Sequence, residues 1–111
     1  MARVINADPP HAAEFHDVVA AFAKDRAVAS SRKFATINLS VGGKVFAFAN
    51  KAGMVVKLPS PRVAALIVAG SATPLIMGKR TMKEWAVVLP GAGNWVTVAR
   101  QARAFVGEIS S

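Results

Sequence analysis

The sequence predicts an α+β domain, an antiparallel sheet packed by helices in the order α-β-β-β-α-β-β-α. Three observations carry this expectation. Apolar residues recur every three to four positions in three separate stretches, as they do in helices with one buried face. Between those stretches lie segments of alternating apolar and polar residues, the pattern of half-buried strands. The strand-like segments follow one another in a group of three and a group of two across short glycine turns, which implies antiparallel pairing. The chain has 111 residues. That length fits a single domain over 1–111, able to bury roughly two thirds of the surface its unfolded chain exposes.

Residues 9 to 25 read as the first helix. Asp8 is its candidate N-cap, and Pro9 and Pro10 fit a first turn in which a missing N–H costs nothing. Phe15, Val18, Val19 and Phe22 form its apolar stripe. The segment AVASSRK, 27 to 33, reads as a polar connection of small residues. FATINLSV alternates, with Ala35, Ile37, Leu39 and Val41 on one side and Thr36, Asn38 and Ser40 on the other. Gly42-Gly43 then signals a tight hairpin. KVFAFAN is the next strand, KAG at 51 to 53 the next turn, and MVVKLP the third strand of a meander.

SPRVAALIVAG reads as a helix capped by Ser60, with Pro61 in its first turn and Gly70 at its stop. Val63, Leu66 and Ile67 are its inward residues. TPLIMGKRTMKEWAVVLPG follows as two strands around a basic loop, closed by Pro90 and Gly91. Asn94 caps the last helix. Its stripe is Trp95, Val98, Ala102, Phe105 and Ile109, and Arg100 and Arg103 lie off that stripe, toward solvent. About five strands are expected in all.

Charge sets this chain apart. Fourteen Lys and Arg face six Asp and Glu, a net of +8, with an isoelectric point near 11.0 and a mean hydropathy of +0.38. Such a chain is drawn to polyanions, nucleic acid first and anionic membrane surface second. The longest apolar stretch, VAALIVAG at 63 to 70, falls far short of the ~20 residues a membrane span needs. The N-terminus has no apolar segment after Arg3 and does not read as a signal peptide. A cytoplasmic protein without a membrane partner is the expectation. The absence of cysteine removes disulfides, thiolate metal sites and a cysteine nucleophile.

No catalytic constellation stands out. His11 and His16 are five apart, and ligands on one helix face prefer three or four, so no metal is expected there. Glu14 and Asp17 nearby read as a solvated helix face. The remaining acids do not form an opposed pair for acid–base work. No serine sits in a Gly-x-Ser-x-Gly elbow, and VGGK lacks the length and hydroxyl of a phosphate-binding loop. Neither enzyme activity nor a cofactor is expected, and no small-molecule substrate can be identified. Trp85 and Trp95 read as core anchors, as do Phe46 and Phe48, two apart on one strand face. A sheet face that stacks bases would need exposed aromatics, and the sequence shows no candidate.

The basic residues remain as the candidate site. Arg32 and Lys33 precede the first strand, Lys44 and Lys51 lie at the meander turns, and Lys79, Arg80 and Lys83 belong to the last hairpin loop. Lys57 alternates out of the apolar face of its strand, and Arg62 opens the middle helix. A basic hairpin tip can lie along a phosphate backbone or enter a groove. Against that stands the ordinary polarity of turns, which explains any single lysine but explains so many less well.

GKVFAF, then GMVVKLPSPRVAALIVAG, then PLIMGKRTMKEWAVV, then a tryptophan-led helix ending ARAFVGE resemble the YjbR/MmcQ-like and TfoX N-terminal-like domains. The resemblance spans roughly residues 34 to 107. Its most specific pieces are KLPSPRVAAL and the Gly-Lys-Arg and Lys-Glu-Trp groups. The Met-Phe-Gly start of the TfoX pattern is missing, which leans the resemblance to the YjbR-like side. It implies a small α+β fold with two hairpins projecting like paired wings, and a DNA-binding role without catalytic residues. Two functions stay open. One is a non-enzymatic DNA-binding module making non-specific, salt-dependent phosphate contacts through Arg32, Lys33, Lys44, Lys51, Lys79, Arg80 and Lys83. The other is a protein-interaction or homodimerisation module using the open sheet face around Thr36, Asn38 and Ser40.

Overall fold

A computed structural model describes residues 12–33, 36–91 and 94–110. Its elements run α1 (Ala12–Ala21), β1 (Val28–Lys33), β2 (Thr36–Val41), β3 (Lys44–Ala49), β4 (Met54–Lys57), α2 (Ser60–Val68), β5 (Ala72–Met77), β6 (Arg80–Val88) and α3 (Trp95–Ser110). Among the described residues, six strands form one antiparallel sheet in the order β1-β2-β3-β4-β6-β5. The expected α+β class holds, with one strand more than expected. AVASSRK is no connection: Val28–Lys33 pairs along its whole length with β2 as an edge strand. Edge pairing uses main-chain groups, so small polar side chains suffice and leave little apolar pattern to read.

The helices pack on one face of the sheet. Phe15, Val18 and Phe22 from the α1 region, Val63 and Leu66 from α2, and Trp95, Val98, Ala99, Ala102 and Val106 from α3 are buried against Leu39, Phe46, Met54, Val56, Ala86 and Val88. Phe22 meets Phe46 edge-on, with ring centroids 5.3 Å apart. Trp95 is buried, and its indole N–H donates to the Leu89 carbonyl at 3.0 Å. Here the helical stripes read from the sequence meet the alternating strand residues. The candidate cap at Asp8 and the prolines after it lie outside the described residues.

Local chemistry sets the turns. Gly42 and Gly43 have φ of 61° and 80°. Two positive values match a two-residue turn whose twist suits the flanking strands. Asn50 holds the β3–β4 turn by accepting the Ala52 and Gly53 N–H groups on Oδ1. At α2, Ser60 is the first helical residue and Pro59 holds the N-cap position; the Arg62 and Val63 N–H groups donate to the Pro59 carbonyl. The expected Ser60 cap is thus displaced by one residue, because Pro59 already presents its carbonyl to the helix. At the other end, Gly70 (φ 79°) donates to Ile67 and Ser71 to Leu66, which satisfies two terminal carbonyls. Asn94 Oδ1 accepts the Thr97 N–H at 3.1 Å, as its capping role requires.

Two irregularities reassign side chains. Leu39 pairs with Ala47 but Ser40 with Val45, so Phe46 is an extra residue in β3. A bulge of this kind turns two consecutive residues to one face, and Phe46 and Ala47 are both fully buried. Phe46 and Phe48 therefore do not share a face. In the last hairpin, Pro74 pairs with Ala86 but Leu75 with Met82. Lys83, Glu84 and Trp85 have no register partner on β5, beside a proline with no N–H to offer.

Candidate nucleic-acid interface

The antiparallel pairings decide which basic residues share an end of the sheet. The β2–β3 turn, the end of β4 and the β5–β6 turn all lie at one end. Lys44, Lys57, Lys79, Arg80 and Lys83 belong to this end. The β3–β4 turn, the end of β1 and the start of α1 lie at the other. Lys51 is there, as are the backbone positions of Arg32 and Lys33, whose side chains lie outside the described set. The seven residues singled out from the sequence thus divide four against three. Sequence spacing cannot show this, because it depends on how the strands are ordered and directed.

The turn of the last hairpin is Gly78-Lys79, with Gly78 at φ 65°. Arg80 to Lys83 are already part of β6, so the basic loop read from the sequence is a two-residue turn and the first four residues of a strand. Lys44, Lys79, Arg80 and Lys83 are exposed. Lys57 joins them as a residue given no part in the candidate interface from the sequence. Its ammonium lies 3.9 Å from the Glu84 carboxylate and 5.4 Å from the centre of the Trp85 ring. The nearby hairpin tip also exposes Ile76 and Met77, an apolar feature that strand alternation hides.

Trp85 is not a core anchor. Its strand neighbours Ala86, Val87 and Val88 are buried, but Trp85 itself is half-buried and pairs with Lys57. It stands beside Phe48, with centroids 6.4 Å apart and ring planes tilted by 56°. It also borders an apolar groove of about 420 Å³ between α2 and the last hairpin, lined by Pro61, Ala64, Ile67, Pro74 and Met82 among others.

The opposite end has a different character. Glu14 and Asp17 of α1 border a cleft of about 280 Å³ with Asn94 and Trp95. The Glu14 carboxylate accepts the Gly91 N–H at 3.1 and 3.2 Å. His16 is exposed on α1. Among the described residues, no group of three His, Asp or Glu could hold a metal ion, and no helix is long and apolar enough to cross a membrane.

Two arginines of α3 complete the electrostatics. Arg100 is exposed, with its guanidinium 5.9 Å from the Phe22 ring centre. Arg103 is not turned to solvent as expected. It is half-buried, and its Nε donates to Asp25 Oδ2 at 2.9 Å. That hydrogen bond holds the Asp25 carboxyl below its ordinary 3.8, aided by the Ala27 N–H and opposed by desolvation. Asp25 is therefore committed to Arg103. No protein-family model, characterised protein or solved structure matches the chain.

Proposed function

We propose that this chain is a non-enzymatic, cytoplasmic DNA-binding module that contacts phosphates through the basic end of its sheet. One observation carries the reading: two hairpin turns and the end of β4 bring Lys44, Lys57, Lys79, Arg80 and Lys83 to the same end. Exposed lysines at two turn tips can reach a phosphate backbone while the rest of the fold stays packed. The resemblance to YjbR-like domains points the same way. Such contacts read charge and not sequence, so binding is non-specific and falls steeply with salt.

The test is fluorescence anisotropy of a labelled random-sequence duplex at about 50 and about 200 mM salt, with a dissociation constant of about 10⁻⁴ to 10⁻⁶ M expected at physiological salt. Lys79→Ala should lower the log–log salt slope by about one unit, and Lys51→Ala, at the opposite end, should leave it unchanged. Equal effects of the two would remove the hairpin tips as the interface. A second reading is a protein partner or second copy, favoured by Val68, Ile76 and Met77, which are large apolar side chains 88%, 59% and 60% exposed. A concentration-dependent dimer that ignores DNA would select it.

A further inference from the structure

We infer that Trp85 and Phe48 form a stacking platform for unpaired bases, so that the preferred ligand is single-stranded nucleic acid. The inference rests on the nucleic-acid reading above and narrows it. Four observations support it.

The first is placement. The sheet carries a cross-strand row Ser31–Asn38–Phe48–Val55–Val87–Thr73. Val55 and Val87 are buried yet stand outside the core that the helices cover. By strand alternation, this row, with Lys57 and Trp85 beyond it, belongs to the face away from the helices, and Trp85 also reaches the groove beside α2.

The second is exposure. Phe48 and Trp85 are each only half-buried. A protein that needed these rings for its core would have covered them, as it does Phe46 and Trp95.

The third is electrostatic. Lys57 sits over the Trp85 ring at 5.4 Å, so the ring carries a cation and not a core side chain. Lys57 can leave the ring for a phosphate when a base takes its place. Lys83 lies two residues before Trp85 in β6, with Arg80 and Lys79 further along the same hairpin.

The fourth is the bulge in β3. By inserting Phe46 into the core it leaves Phe48 on the face away from the helices, 6.4 Å from Trp85. Aromatic rings on an open sheet face, beside cations that track a backbone, are how single strands are held without base-specific hydrogen bonds. A duplex keeps its bases stacked inside and offers these rings nothing.

The experiment compares a labelled duplex with one of its own strands alone, and also follows tryptophan emission. Trp95 is 2% exposed, so quenching by nucleic acid reports Trp85. The single strand should bind more tightly than the duplex and quench the emission. Trp85→Leu should weaken single-strand binding about tenfold, within the range for one stacked base, and duplex binding by much less. Because quenching is read on the unaltered chain, the result stands even if the variant folds poorly. Duplex binding that equals or exceeds single-strand binding, without quenching, overturns this inference and leaves the phosphate-contact proposal standing. Absence of binding to either overturns both.

Discussion

The two faces of the sheet are built from similar residues and differ in how far their aromatic rings are covered. On the helix-covered face, Phe46, Met54, Val56 and Val88 are fully enclosed, and Phe22 and Trp95 close over them. On the other face, Val55 and Val87 are just as buried, but Phe48 and Trp85 beside them stay partly open and Lys57 lies across an aromatic ring. The helix-covered side encloses Phe46 and Trp95, and the other face leaves Phe48 and Trp85 half-buried. Hydrophobicity does not tell the two pairs apart. Their difference comes from the β3 bulge and from the register of β4 against β6.

The largest test of this contrast is Phe46→Ala. Phe46 is fully buried and touches Phe22, so its loss should cost about 3–5 kcal/mol of unfolding free energy, read by chemical denaturation. Gly53→Ala comes next and attacks the register itself. A Cβ at Gly53 would collide with the Val88 carbonyl oxygen of β6, so β4 must shift, at a cost of about 3 kcal/mol. Phe48→Ala should cost only about 1 kcal/mol, the ordinary size for a residue that is not enclosed. Equal losses for Phe46→Ala and Phe48→Ala would end the distinction between the faces.

The smallest effect lies away from the sheet, at Asp25 and Arg103. The folded-state value for Asp25 is depressed below 3.8 by the Arg103 hydrogen bond. Its contribution is therefore complete above 3.8 and fades as pH falls through the lower folded value. Stability measured along an acid titration should show this fading in the native chain and lose it in Arg103→Gln.

Much of the inner face was legible in the sequence. Leu39, Val41, Val63, Leu66, Trp95 and Val98 are legible because strand alternation and helical spacing both report burial against a single core. Asn94 and Gly70 were legible because capping chemistry is local. Strand β1 was not, since VASSRK pairs through its backbone and carries no apolar alternation beyond Val28. Phe46 and Phe48 share a face in the residue pattern, where the β3 bulge leaves no mark. Helical spacing alone turns Arg103 to solvent, because its partner Asp25 is distant in sequence. The basic site was visible as residues but not as a surface. Lys44 and Lys51 look alike at successive turns, and only the direction of β3 sends them to opposite ends.

The sheet's two margins differ in one more way. At β5, Pro74 sits in an edge strand with a broken register, and a proline there denies an incoming strand one of the donors it would need. The β1 margin carries no proline. Any strand-to-strand joining of two copies would therefore run through β1, and a pair joined that way would present only its blunted margins outward. Such growth stops at two, because each copy then offers only its Pro74 margin.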